Sequence, residues 1–282
     1  MGTCSSWRHG SHSLRKIGDN MADIEIKDFS KWDFKNEIDL MIVDPPFGID
    51  FDKKKGNYNR DKTFVVDGYV EWDLESYYYN IWQLIDSADR YLNENGSLLL
   101  FSSWLSSVYI SNVLSEENFN LRLQGKLYWI YNFAPYCIKR PAHNVQEIFW
   151  LTKSDNYFYN NECSMPHCLD GESNLSTIKV NREFIKGMVK YKTRQPSILC
   201  GTIIEHFSTK GFKILDPCCG SGMYGIIVRN YYNDRDIYLG DLNKNTRRVY
   251  KSLESRLPFF EINKHIYGDF GLMKFIGEKH HG

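Results

Sequence analysis

The sequence predicts an α/β fold built on a parallel, doubly wound sheet. Three observations carry that prediction. Short apolar, β-branched runs alternate with segments of helical periodicity. Two of those runs end at Asp-Pro, as Asp44-Pro45 and Asp216-Pro217, and the second leads into the small-residue loop Cys218-Cys219-Gly220-Ser221-Gly222. At 282 residues and 42% hydrophobic, the chain can bury a sizeable core, which excludes disordered, collagen-like and coiled-coil classes.

Taken in order, residues 1–20 are rich in Ser, His and Arg, lack periodicity and read as a disordered leader. The run 38–43 (IDLMIV) reads as a buried strand stopped by Pro45 and Pro46. Residues 51–62 form a polar loop carrying Lys53, Lys54, Lys55, Arg60 and Lys62. Leu74, Tyr78, Ile81, Leu84, Ile85, Ala88 and Leu92 recur at helical spacing, and Asn95-Gly96 then turns the chain into a strand over 97–101. Strands over 127–133 and 148–152 flank a Pro-containing loop with Lys139, Arg140 and His143, and 154–181 is polar and expected to be irregular. A helix over 198–207, a strand over 212–215, the glycine loop, a helix over 224–231, a strand over 237–239 and a helix over 243–257 complete a βαβα unit.

Charge and cysteine content narrow the function. Lys+Arg and Asp+Glu both number 35, so bulk attraction alone does not hold this chain to nucleic acid, and any such role rests on local patches. The balance is a cancellation: residues 121–200 hold 11 Lys/Arg against 6 Asp/Glu, predicting a basic face there. No run approaches the roughly 18–20 apolar residues of a spanning helix. Seven cysteines and the absence of an apolar secretory core near residue 1 lead us to expect a reducing cytoplasm. Cys163, His167 and Cys168 lack a fourth ligand at zinc spacing, so no metal is expected.

Two motifs carry chemistry. In the loop after Asp216, Gly220 and Gly222 let a ligand approach the backbone, and the following helix offers unpaired N–H groups. Asp241, after the next strand, suits ribose hydroxyls, so the pair suggests a nucleoside-containing cofactor. Read over 216–222, the loop falls short of the three glycines of the dinucleotide fingerprint, which disfavours nicotinamide or flavin. In the second motif, Asp44-Pro45-Pro46-Phe47, the prolines remove two N–H donors. A rigid set of acceptors remains, matched to an exocyclic amine, and Phe47 adds a face on which a planar base can stack. Each motif alone is also compatible with a plain structural turn.

Together, DPPF and DPCCGSG resemble the paired signatures of S-adenosylmethionine-dependent DNA amino-methyltransferases. DPPF precedes the glycine loop, which is similar to the circularly permuted β group. The resemblance continues through NENGSLLLF (93–101), QEIFWLTK (146–153) and KYKTRQPSIL (190–199), where Thr193, Gln195 and Pro196 match a stretch that lines the family's cofactor pocket. It departs at Phe47, Cys218, Cys219 and Met223, where Tyr, Phe, a small residue and Thr are commoner. The resemblance implies a Rossmann-like methyltransferase sheet, circularly permuted: a leader (1–20), a half bearing DPPF (21–101), strands with an inserted target-recognition region (102–190) and a cofactor-binding half (191–282).

The implied reaction moves a methyl group from S-adenosylmethionine to adenine N6 in a flipped-out nucleotide of double-stranded DNA. Asp44, Pro45, Pro46 and Phe47 would be catalytic. Asp216, Pro217, Cys218, Gly220, Ser221, Gly222, Asp241, Thr193, Gln195 and Pro196 would bind cofactor. Lys53, Lys54, Lys55, Arg60, Lys139, Arg140, Lys190, Lys192 and Arg194 would contact DNA, together with the other basic residues of 179–194. Either Gly18-Asp19 or Gly268-Asp269 would follow the fold's third strand. A monomer or homodimer, with or without a companion restriction endonuclease, fits this reading. Cytosine N4, an RNA adenine, a catalytically silent nucleic-acid-binding subunit and a nicotinamide oxidoreductase are the alternatives. Asp rather than Ser at position 44 leans to adenine.

Overall fold

The computed structural model describes residues 24–47, 71–132, 141–161, 175–183 and 194–254. In chain order these form β1 (Glu25–Ile26), a 3-10 turn (Phe29–Lys31), β2 (Ile38–Val43), α1 (Leu74–Tyr91), β3 (Leu92–Ser102), α2 (Ser106–Glu116), β4 (Arg122–Ile130) and β5 (Val145–Thr152). They continue with β6 (Thr177–Lys179), α3 (Ser197–Phe207), β7 (Lys213–Asp216), α4 (Met223–Tyr231), β8 (Asp236–Asp241) and α5 (Thr246–Glu254). One eight-stranded sheet runs β1-β8-β7-β2-β3-β5-β4-β6.

The sheet is mixed rather than wholly parallel. β1, β8, β7, β2 and β3 pair in parallel, whereas β5 is antiparallel to both β3 and β4. A parallel pair needs a crossover of a dozen or more residues, usually helical, and β5 instead turns back beside the strand before it. The region expected to be irregular contributes β6, three residues parallel to β4.

Alternation along the strands fills two cores, one on each face. Leu40, Ile42, Leu99, Phe101 and Ile214 pack with α3, α4 and α5, while Met41, Val43, Leu98, Leu100 and Leu215 pack with α1 and α2. Both faces are covered, which is why the strands read as near-continuous apolar runs. Ile38 joins the second core despite its even spacing from Leu40, because the register shifts between those two residues. Asp39 is the polar exception in β2. It accepts from the Lys213 N–H at 2.7 Å and from Asn93 Nδ2 at 2.6 Å, tying β2 to β7 and to β3.

Two helices show how local sequence sets their ends. Asp73 caps α1 by accepting from the Ser76 N–H at 2.7 Å. α2 was not foreseen. Its serine-rich stretch has a weak apolar period, and the chain enters it through reciprocal Ser103–Ser106 hydrogen bonds, a pattern that supplies partners for orphan N–H groups.

The strand beyond β8 is β1, and it is followed by Lys27-Asp28, with Asp28 capping the 3-10 turn. The two Gly-Asp pairs proposed for that place, at 18–19 and 268–269, lie outside the described residues, as does the loop 51–62.

Candidate active site

β2 and β7 are adjacent and parallel, and their connections diverge, β2 leading toward β3 and β7 toward β8. The crevice beyond their carboxyl ends is therefore a topological switch point, the place where open α/β sheets bind ligands. Asp44, Asp216 and Asp241 stand at the ends of β2, β7 and β8, so the two motifs meet there.

Asp44 is part-buried and its carboxylate is held on both oxygens. Gln146 Nε2 donates to Oδ1 at 3.3 Å and Gln195 Nε2 donates to Oδ2 at 2.9 Å. Withdrawal from water raises the carboxyl from 3.8 to about 6, opposed by the Gln195 hydrogen bond, the Arg182 charge and the Gln146 hydrogen bond. Pro45 is buried, and Phe47 is partly buried against the core that holds α3 and α4.

The glycine loop is braced from β8. Asp241 accepts from the Gly220 N–H at 2.9 Å and from the Asn243 N–H at 2.7 Å, and the Cys219 N–H donates to the Gly240 carbonyl at 2.9 Å. Gly220 and Gly222 take left-handed φ values of 51° and 72°. A Cβ on Gly222 would lie 2.3 Å from the Tyr250 ring, whereas one on Gly220 would meet nothing within 4 Å, so the loop backbone is open on the Gly220 side. Burial lifts the Asp216 carboxyl well above its ordinary range, helped by the neighbouring charges of Asp241 and Asp44. It raises Asp241 as well, against two backbone hydrogen bonds. Cys218 packs toward the α1 core and Cys219 toward the α4 core, and burial pushes both thiols up. Side chains divided between opposite cores do not make a redox pair.

Residues 38–252 match the family model for DNA methylases, the N6/N4 methyltransferases. This chain belongs to that DNA methylase family. It is 26% identical over 202 residues to the type II methyltransferase M2.DpnII of Streptococcus pneumoniae, covering 68% of this chain and 74% of the relative. It is 24% identical over 241 residues to M2.MboI of Moraxella bovis, covering 82% and 81%. The fold matches PvuII DNA methyltransferase (cytosine-N4-specific) with a TM-score of 0.59 at 14% identity, covering 80% of this chain and 83% of that one. It also matches the M1.HpyAVI–SAM complex with a TM-score of 0.55 at 18% identity, covering 80% and 92%. A nicotinamide oxidoreductase is thereby set aside.

In this DNA methylase, several predicted residues sit differently from expectation. Arg194 does not face solvent. Its side chain is 1% exposed and its Nη2 lies 3.2 Å from Glu183 Oε2, so the charge is spent inside the fold and no phosphate reaches it. Glu183 also accepts from the Ser197 N–H and hydroxyl, placing its charge at the start of α3, where the helix dipole favours it. Arg182 lies over the Tyr131 and Trp129 rings, 4.5 and 5.1 Å from their centroids. Gln195, expected to line a cofactor pocket, directs its amide to Asp44, and Pro196 caps α3. Thr193, Lys53, Lys54, Lys55, Arg60, Lys139, Arg140, Lys190 and Lys192 lie outside the described residues, as do Cys163, His167 and Cys168.

Three residues of the candidate site carry little or no signal that the sequence analysis used. Gln146 and Tyr224 reach it only through tertiary contact, and a lone Gln or Tyr in an apolar run carries no signal. Gly225 had one. With Gly220 and Gly222 it completes G-x-G-x-x-G, and a Cβ there would lie 2.4 Å from Leu239, so it is the glycine that lets α4 pack closely on β8.

Proposed function

We propose that this DNA methylase is a site-specific adenine-N6 methyltransferase of the permuted β group, using S-adenosylmethionine on double-stranded DNA. The observation that carries the reading is the Asp44 carboxylate at the switch point, fixed by one amide donor on each oxygen and followed by two prolines and Phe47. Each carboxylate oxygen keeps lone pairs for an amine hydrogen.

The residues present fit the cofactor. Asp44, Asp216 and Asp241 gather three carboxyls at one end of the sheet, and no described Lys or Arg pairs with Asp216 or Asp241, so a ligand carrying a sulfonium and an ammonium would favour the ionised forms that burial disfavours. The open backbone at Gly220 allows close approach, and Asp241, with one N–H on each oxygen, retains acceptor capacity for ribose hydroxyls. When bound, S-adenosylmethionine supplies an electrophilic methyl group.

The target amine lies inside the duplex, so the nucleotide must be extruded to reach the crevice. There Phe47 stacks on the base, while the Asp44 carboxylate and the Pro45 carbonyl accept its amino hydrogens and turn the nitrogen lone pair outward. The chain needs no covalent bond to the base; it contributes positioning and preorganised acceptors, effects that reach about 7–11 kcal/mol in oriented systems. Asp44→Ala is expected to bind S-adenosylmethionine by calorimetry yet transfer no labelled methyl group to DNA. Retained transfer would remove Asp44 from the mechanism. A companion restriction endonuclease is consistent with the type II relatives.

A further inference from the structure

We propose that Tyr224 and Gln195 are positioning residues that lock the Asp44 carboxylate as an acceptor, linking the helix after the glycine loop to the base-binding tetrapeptide. The proposal rests on the reading of Asp44 given above. Tyr224 on α4 places its hydroxyl 2.7 Å from Gln195 Oε1, and Gln195 Nε2 lies 2.9 Å from Asp44 Oδ2. Cys200 on α3 adds its thiol to the same amide oxygen at 3.9 Å. Tyr224 is 4% exposed, Gln195 7% and Cys200 fully buried, so water does not compete for these bonds.

The chain of bonds has one satisfactory polarity. A carboxylate accepts only, so the Gln195 edge facing Asp44 must be its NH2, and its carbonyl then faces two groups that can donate. Burial raises both Tyr224 and Cys200 well above their ordinary values, so both keep their protons at working pH and remain donors. A flipped amide would set its carbonyl against the carboxylate, and it would also give up the bond from the Tyr224 hydroxyl to the amide oxygen. Without that hydroxyl the amide oxygen keeps only the weak thiol, and the amide is held less firmly. The neighbouring chain is held too: Glu183 accepts from the Arg194 guanidinium before Gln195 and from the Ser197 N–H at the start of α3 after it.

The consequence is protonic. The Arg182 charge beyond β6 acts on Asp44, and the Asp44 charge in turn acts on Asp216 at the end of β7, Tyr77 on α1, Cys200 on α3, Cys218 in the glycine loop and Tyr224 on α4. Arg182 favours the charged carboxylate and Asp216 opposes it. In that balance, loss of a charge-assisted amide hydrogen bond moves the carboxyl toward its protonated form, which has an O–H in place of one of its acceptor sites.

The test is the pH dependence of single-turnover methyl transfer at saturating S-adenosylmethionine and DNA, in wild type, Tyr224→Phe, Gln195→Leu and the double variant, with Asp44→Ala alongside. Gln195→Leu should move the acid limb up by about one pH unit. Tyr224→Phe should move it in the same direction by less, and its rate should recover toward wild type above the limb. The double variant should shift no further than Gln195→Leu, because Tyr224 acts through Gln195. Tyr224→Phe, which loses one oxygen atom, carries the test even if Gln195→Leu does not fold. An unmoved limb in Tyr224→Phe with Asp44→Ala inactive overturns the relay alone, and so do additive shifts in a folded double variant. Transfer by Asp44→Ala overturns the reading of the site beneath it.

Discussion

At the scale of single residues, Asp44 is held where its own charge is disfavoured. Its folded value of about 6 lies above the ordinary 3.8, so the native state binds this proton more tightly than the unfolded chain does. The contribution of Asp44 to stability is therefore most favourable below the unfolded value and is lost as pH rises toward the folded one, by about 3 kcal/mol in total. Urea denaturation of wild type and Asp44→Asn should show the stability difference, wild type minus variant, shrinking by about 2 kcal/mol from pH 4 to pH 7; a constant difference would contradict it. Activity should run the opposite way, falling about tenfold per unit below pH 6, since the ionised carboxylate is the working form. The tetrapeptide was legible because its chemistry is contiguous. Its support was not: Gln146 and Gln195 lie 102 and 151 positions from Asp44, and only the folded sheet joins them.

At the scale of elements, the glycine loop and the strand junctions make sharper demands than their composition suggests. Gly222→Ala combines a left-handed φ with a Cβ pressed 2.3 Å from the Tyr250 ring. It should cost about 2–4 kcal/mol of stability and weaken cofactor binding, read by urea denaturation and calorimetry. Asp39→Ala leaves the Lys213 N–H without its acceptor and should cost about 1–3 kcal/mol with cofactor affinity preserved, because Asp39 lies at the other end of β2 from the crevice. Helices α1, α3 and α4 and strands β2, β7 and β8 were legible from periodicity and abrupt Pro or Gly stops. α2, β1 and β6 were not, because weak apolar periods and strands of two or three residues fall below what periodicity can register. The direction of β5 is likewise a matter of connection, invisible in an apolar run.

At the scale of the molecule, the described Arg and Lys side chains of 121–200 mostly have partners within the fold, although all but one of those partners are acids of the same segment and leave its net charge as it was. Lys126 pairs with Glu147, Lys153 with Asp89, Arg122 with Asp155 and Arg194 with Glu183, while Arg182 covers two aromatic rings. Lys139, Arg140, Lys186, Lys190 and Lys192 are the remaining candidates for phosphate contact, with Lys179 exposed on β6. DNA binding measured across salt concentrations should separate the classes. Lys190→Ala or Lys192→Ala should each lower the slope of log K against log salt by about 0.9. Arg194→Gln should leave the slope unchanged and instead cost about 3–5 kcal/mol of stability, as expected for a broken buried pair. The central claim concerns the base that meets Asp44, and nucleoside mass spectrometry of DNA incubated with the protein and isotopically labelled S-adenosylmethionine addresses it most directly. Labelled N6-methyladenine with wild type, and none with Asp44→Ala, is the result predicted; labelled N4-methylcytosine, or N6-methyladenine formed by Asp44→Ala, would contradict it.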